Sequence, residues 1–315
     1  MKSMTLVLPL AAVTAALSLW GCGTNNNEDK RLLAYTAGAL RFCTGPSAET
    51  AIDEIFEESN RPNLTLRADP LNNDYYFCAP WNYEKDYNAS RRYPLLVYLH
   101  GRDQDGYIRN LYYMGYDNSD GYMNDVAGAF KKKYPCFIYV PQEAGSSFDT
   151  AKLTNQIDAL RAAYRIDDDR LYVHGFSMGG YGAYVLANDY YESTGRIFAG
   201  IIMLTGWAPA LNSAVAAKAG VWLMVGLQDD ADVVASIRDG YAYLRDLPVN
   251  AGADETLRPG YPVCGHSAVT RRLRLHCVDI VNRTEFPVDG HFVTEFPFRD
   301  PSVMEWLFSQ SLQNR

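Results

Sequence analysis

A serine with glycine two positions to either side stands in Leu171-Tyr172-Val173-His174-Gly175-Phe176-Ser177-Met178-Gly179-Gly180. This hydrophobic run gives way at once to the helix-like Tyr181-Gly182-Ala183-Tyr184-Val185-Leu186-Ala187. A strand-to-helix turn this sharp leaves no room for side chains at the flanking positions. Glycines at 175 and 179 remove the clash, and the turn lifts the Ser177 hydroxyl clear of the sheet edge. The chemistry such a residue offers is nucleophilic attack. A serine hydroxyl is a weak nucleophile until a base takes its proton, and the base needs a carboxylate to orient it.

On a turn of this kind the partners follow in the order serine, acid, histidine. The acid is expected just past the next-but-one strand, where the chain reads Val225-Gly226-Leu227-Gln228-Asp229-Asp230-Ala231-Asp232. Asp229 has the favoured spacing from Gly226. Asp230 and Asp232 are alternatives, and either could instead cap the helix that follows. Three histidines come later. His276 lies in a strand-like alternation, His266 in the irregular Cys264-Gly265-His266, and His291 in Asp289-Gly290-His291 before an apolar C-terminal helix around Val303 to Phe308. His291 is the expected base. An oxyanion needs two backbone N–H donors; Met178, directly after the serine, and Arg102, in the turn after Leu99-His100-Gly101, are expected to supply them. His100 precedes the acid and reads as a support for that turn.

The elements that must position these residues alternate. Tyr75 to Cys78 reads as a first strand, and Pro94 to Leu99 as a central buried one. Tyr122 to Lys132 is helical in pattern, and Phe137 to Val140 is a buried strand. Leu153, Ile157 and Leu160 mark a helix, and Leu171 to His174 is the strand that carries the serine turn. Ile197 to Leu204, Val221 to Val225 and Leu273 to Val278 are further strands. Such alternation predicts an α/β fold: one mostly parallel sheet with helices on both faces, its site beyond the carboxyl ends of the strands. Ala48 to Glu58 has helical spacing. Two segments break the pattern: Arg102 to Gly121, rich in tyrosine, and Ala251 to Ala268, rich in glycine and proline.

The motifs resemble those of α/β-hydrolase fold serine esterases, in the group with feruloyl esterases, acetyl xylan esterases, polyhydroxybutyrate depolymerases and "predicted peptidases". The similar stretches are Tyr93 to Gly101, Val140-Pro141-Gln142, Tyr164 to Asp167, Asp169 through Gly182, Gly226 to Asp229 and Gly290-His291. The resemblance covers about Asp74 to the C-terminus. It implies ester hydrolysis through an acyl-enzyme, without a metal or organic cofactor. The insert before the last strand and the acidic cluster depart from the pattern.

The remaining composition bounds partners and compartment. A formal net charge of -8 argues against nucleic acid, whose phosphates need a basic face. Residues 1–22 read as a signal peptide: Lys2, an apolar run from Met4 to Trp20, and Leu19-Trp20-Gly21-Cys22, which is similar to a bacterial lipobox with Cys22 as the lipidated residue. An exported, membrane-anchored lipoprotein is expected, periplasmic or at the cell surface; ordinary cleavage to a secreted product is the alternative. Residues 23–45 then form a tether and extension, and 46–315 the catalytic domain. In an oxidising compartment Cys43–Cys78 and Cys264–Cys277 are the economical disulfides, with Cys136 a core thiol. No Cys-x-x-Cys occurs, so a structural zinc site is not expected.

Tyrosine is abundant, 23 of 315 residues, and Tyr107, Tyr112, Tyr113 and Tyr116 cluster near the expected oxyanion turn. Aromatic faces there suit sugar rings or a phenolic acyl group, pointing to an acylated plant polysaccharide or its fragments. Small esters, lipids or peptides are alternative substrates. A catalytically silent, glycan-binding lipoprotein is the alternative from another class.

Overall fold

A computed structural model of the chain describes residues 64–67, 75–80, 83, 88–102, 134–251, 272–278, 290–291 and 301–313. In chain order the strands are β1 Leu64–Arg67, β2 Tyr75–Cys78, β3 Tyr93–Leu99, β4 Phe137–Pro141, β5 Ile166–Phe176, β6 Gly200–Leu204, β7 Gly220–Gly226 and β8 Leu273–Val278. The helices are α1 Thr150–Ala163, α2 Met178–Thr194, α3 Ser213–Lys218, α4 Ala231–Arg245 and α5 Pro301–Phe308. Among the described residues the strands form one sheet in the order β1-β2-β4-β3-β5-β6-β7-β8. From β4 to β8 every neighbouring pair is parallel, while β1 and β2 add an antiparallel edge.

The continuous apolar runs of β3, β4, β6 and β7 follow from burial on both faces. Leu95, Val97 and Leu99 of β3 face one core with Leu171, Val173, Ile201, Met203, Leu223 and Val225. Their neighbours Leu96, Tyr98, Tyr172, Ile202, Trp222 and Met224 face the other. This alternation is the pleat itself. The first core is covered by Leu153 and Ile157 of α1, Tyr184 and Ala187 of α2, Val215 of α3 and Ile237 of α4. Val303, Trp306 and Leu307 of α5 pack on the second, Trp306 edge-on to Trp222 at 5.2 Å. Asp149 caps α1 by accepting from the Lys152 N–H at 3.1 Å, and Gly195 ends α2 in a left-handed conformation.

The expected mostly parallel sheet with helices on both faces is the observed one. Three details differ. Tyr75–Cys78 is not the first strand: β1 precedes it, and it runs antiparallel to β4. β6 starts at Gly200 rather than Ile197. β5 begins five residues earlier than its apolar run, at the buried Ile166 opposite Tyr93. Its polar start is held at the surface: Arg161 of α1 grips Asp168 at 2.6 Å, and Arg170 pairs with Asp167 at 2.7 Å. The expected helices at 48–58 and 122–132, the signal and tether, and most of both irregular segments lie outside the described residues. So do Cys43 and Cys264, and with them both expected disulfides. Cys136 and Cys277 are buried.

His174 of β5 is fully buried, its ring 4.4 Å from that of Tyr98. Burial pushes its pKa from 6.5 down to about 3, so the folded protein holds it neutral. The unfolded chain takes up a proton below pH 6.5 and the folded one does not. Stability from this group is therefore complete above 6.5 and is lost as pH falls toward 3. At pH 5 the loss is on the order of 2 kcal/mol. Thermal unfolding followed by circular dichroism should show that component in the wild type and not in His174→Leu.

Candidate active site

The sheet order reverses at β3: β4 lies on one side of it and β5 on the other. Crevices in open parallel sheets form at the carboxyl ends of strands where this happens. The chain places two turns there, 100–102 after β3 and Ser177 after β5. Ser177 has φ 56° and ψ −116°. It and Thr205 are the non-glycine residues at positive φ among those described. The turn is held by its backbone: Ser177 donates N–H to the Leu204 carbonyl at 2.9 Å and accepts from Tyr181 at 3.1 Å. A Cβ on Gly175 would sit 2.0 Å from the Gly179 carbonyl oxygen, and one on Gly179 would sit 1.9 Å from that of Leu99. The flanking glycines are therefore required by contact, and the second brings the serine turn against the end of β3.

His291 reaches the same place from the far end of the sequence. Its Nε2 lies 2.8 Å from Ser177 Oγ, and its Nδ1 lies 3.0 Å from both Asp229 oxygens. A carboxylate only accepts, so Nδ1 carries the proton and Nε2 is left to accept from the serine hydroxyl. Gly290 explains the approach. A Cβ there would sit 2.2 Å from the Gln228 carbonyl carbon and 2.4 Å from the Asp229 nitrogen. Two backbones thus pass in contact and seat the imidazole on the carboxylate. The Asp229 side chain is 3% exposed and that of His291 31%.

Asp229 follows a turn in which its N–H donates to the Gly226 carbonyl at 3.1 Å. Its Oδ1 also accepts from the Asp230 N–H at 2.8 Å, and its Oδ2 from Thr205 Oγ1 at 2.8 Å. Burial pushes the Asp229 carboxyl up, but hydrogen bonds from His291, Thr205 and the Asp230 N–H outweigh it and hold the group below the usual carboxylate range. Asp230 and Asp232 are exposed: the first is the residue before α4 and the second lies in its first turn. His276 is in β8 opposite Met224, and His266 lies outside the described residues.

On the β3 side, the His100 Nε2 accepts the Glu143 N–H at 3.0 Å, which leaves Nδ1–H to donate to the Gly101 carbonyl at 2.7 Å. Its ring is buried edge-on to Phe148 at 5.1 Å. Both nitrogens are thus engaged in tying the 100–102 turn to the chain after β4. Arg102 is exposed in that turn, and Met178 is the first residue of the 17-residue α2. N–H groups in a first helical turn have no intrahelical acceptor and sit at the positive end of the helix dipole. A hydroxyl, an imidazole and a carboxylate in line, beside such donors, can carry out acyl transfer.

Ser177, Asp229 and His291, the three residues expected from sequence, come together in the structure. Thr205 joins them without a signal in the sequence, because its contact depends on a backbone conformation that a Leu-Thr-Gly triplet does not announce. Among the described residues, no group of three or more His, Cys, Asp or Glu side chains could hold a metal ion, and no helix is long and apolar enough to cross a membrane.

No protein-family model matches the chain, and no curated protein sequence does. Solved structures do match. A thermostable esterase is similar with TM-score 0.56 and 22% identity, over 83% of this chain and 64% of that one. An acetyl xylan esterase from Aspergillus awamori matches with TM-score 0.53 and 16% identity, over 78% and 98%. A feruloyl esterase module from Clostridium thermocellum, complexed with sinapinate, matches with TM-score 0.53 and 12% identity, over 78% and 87%. At these identities the likeness is one of fold, and the fold is that of the α/β-hydrolases.

Proposed function

We propose that this chain is an exported serine carboxylesterase that cleaves ester bonds through an acyl-enzyme, acting on acylated plant polysaccharide or its fragments. The observation that carries the reading is the unbroken hydrogen-bond line from Ser177 through His291 to Asp229. Ser177 Oγ attacks the ester carbonyl carbon while His291 Nε2 takes its proton. The oxyanion that forms is held by the N–H groups of Met178 and Arg102. His291 returns the proton to the leaving alcohol, and the acyl group stays on Ser177. Water then repeats the sequence in reverse, with His291 again the base, and releases the acid. Asp229 holds the imidazole in the required tautomer and balances its transient charge.

The choice of substrate rests on aromatic surface. Trp207 is 54% exposed and Tyr181 41%. Both flank the serine turn: a Cβ on Gly206, next to Trp207, would meet the Ser177 carbonyl oxygen at 2.8 Å and the Tyr181 nitrogen at 2.9 Å. Flat exposed rings beside an acyl-transfer site suit a sugar ring or a phenolic acyl group. The acetyl xylan and feruloyl esterases that share the fold agree with this choice. Export with lipid attachment at Cys22 rests on the sequence of residues 1–22 alone.

A fluorophosphonate probe tests the reading first: it should label the wild type at Ser177. A panel of acetyl, feruloyl and longer-chain esters then fixes the substrate. Feruloyl or acetylated-sugar esters should be preferred, and Trp207→Ala should raise their KM about 10-fold while leaving p-nitrophenyl acetate little changed. A protein that neither labels nor turns over any ester is a silent binder, and one that cleaves peptides but not esters is a peptidase.

A further inference from the structure

We infer that Thr205 is a positioning residue, whose hydroxyl fixes the Asp229 carboxylate and so aligns His291 on Ser177. The inference rests on the proposed acyl-transfer role of these three residues. Thr205 is fully buried at the carboxyl end of β6, the strand between the one carrying Ser177 and the one leading to Asp229. Its backbone has φ 47°. A β-branched residue reaches that region only at a cost, and such strain persists where surrounding structure demands it. Here the demand has a visible object. The strained turn leaves the Thr205 N–H on the Met224 carbonyl at 2.8 Å and its Oγ1 2.8 Å from Asp229 Oδ2.

The neighbours of Thr205 serve the other end of the line. The Leu204 carbonyl accepts the Ser177 N–H at 2.9 Å, and Gly206 packs against the Ser177 carbonyl. Residues 204–206 therefore hold the serine turn and the acid at once. The carboxylate is bound on both oxygens, Oδ1 by the Asp230 N–H and Oδ2 by the Thr205 hydroxyl, each also facing His291 Nδ1. Without the hydroxyl, one oxygen loses its fixed donor and the carboxylate plane is free to rotate away from the imidazole.

Thr205→Val removes the hydroxyl and keeps the shape, while Thr205→Ser keeps the hydroxyl. With active sites counted by fluorophosphonate titration, kcat toward p-nitrophenyl acetate should fall about 10- to 100-fold in the valine variant, with KM within about twofold. The serine variant should keep kcat within about threefold. If the valine variant does not fold, Thr205→Ala against Thr205→Ser makes the same comparison. A second readout needs no turnover: the low-field proton resonance of His291 Nδ1–H should shift or disappear in the valine or alanine variant and persist in the serine variant. Equal kcat in wild type and valine variant, or equal loss in valine and serine variants, overturns the inference. A wild type inert toward esters, whose resonance still depends on the hydroxyl, leaves the positioning role standing and removes the esterase reading. An active wild type whose rate and resonance ignore the hydroxyl does the reverse.

Discussion

Ser177→Ala is expected to lower kcat/KM for short p-nitrophenyl esters by about 10⁴- to 10⁶-fold, and to abolish fluorophosphonate labelling. The substitution removes one atom, and that atom is the one 2.8 Å from His291 Nε2. It should leave the fold intact. The turn is set by backbone contacts, the Ser177 N–H to Leu204 and the Tyr181 N–H to Ser177, which alanine retains. Alanine also carries a Cβ, so it meets the same cost at φ 56° as serine does. Circular dichroism melts of the two proteins should coincide within a few degrees, which makes any loss of rate chemical. The residual rate reflects oxyanion donors and substrate binding, which survive the change. Undiminished turnover in the alanine variant would remove Ser177 from the reaction.

Much of this arrangement was legible in the sequence because it is written in local patterns. The glycines around Ser177 are dictated by contacts within a few residues of the turn and against β3. The buried strands read as apolar runs because helices cover both faces of the sheet. His291 was found by its place after the last strand, a consequence of topology rather than of its own neighbours. The choice of acid was legible only in part: the spacing from Gly226 favours Asp229 but does not exclude its neighbours. Asp230 and Asp232 lie one and three positions beyond Asp229, and what separates them is the local turn onto the Gly226 carbonyl together with a tertiary contact, the passage of Gly290 against the Asp229 backbone.

Other features escaped for related reasons. β1 has only four residues and owes its pairing to β2. The polar start of β5 lacks the apolar run that marks a buried strand; Ile166 pairs with Tyr93, and Arg161 and Arg170 pair with Asp168 and Asp167. Thr205 is ordinary by residue type. Its significance lies in a φ angle and in a partner 24 residues away, neither of which periodicity or spacing records.

The choice among the three aspartates can be settled by rate. Asp229→Asn is expected to lower kcat about 10³- to 10⁴-fold, while Asp230→Asn and Asp232→Asn should stay within about twofold of wild type. The Asp229 carboxylate accepts from three donors: the Asp230 N–H, the Thr205 hydroxyl and His291 Nδ1–H. An amide has one acceptor oxygen, so its NH₂ must take the place of Oδ1, against the Asp230 N–H, or of Oδ2, against the Thr205 hydroxyl, and both places also face the imidazole. Facing the imidazole, it forces Nδ1 to accept, and the ring proton moves to Nε2. Nε2–H then points at Ser177 and cannot take its proton. Neither neighbouring aspartate has this hold on the tautomer, since both lie exposed at the start of α4. The pH response separates them further. Asp229 has its carboxyl pKa held below the ordinary 3.8, so its ionised form stabilises the fold above that value, and the contribution is lost as pH falls through the lower, folded-state pKa. Acid unfolding below about pH 4 should therefore lose this component in Asp229→Asn and keep it in Asp230→Asn. A slow Asp230→Asn beside a fast Asp229→Asn would move the role of the acid to Asp230, and the imidazole contact seen at Asp229 would then have no part in turnover.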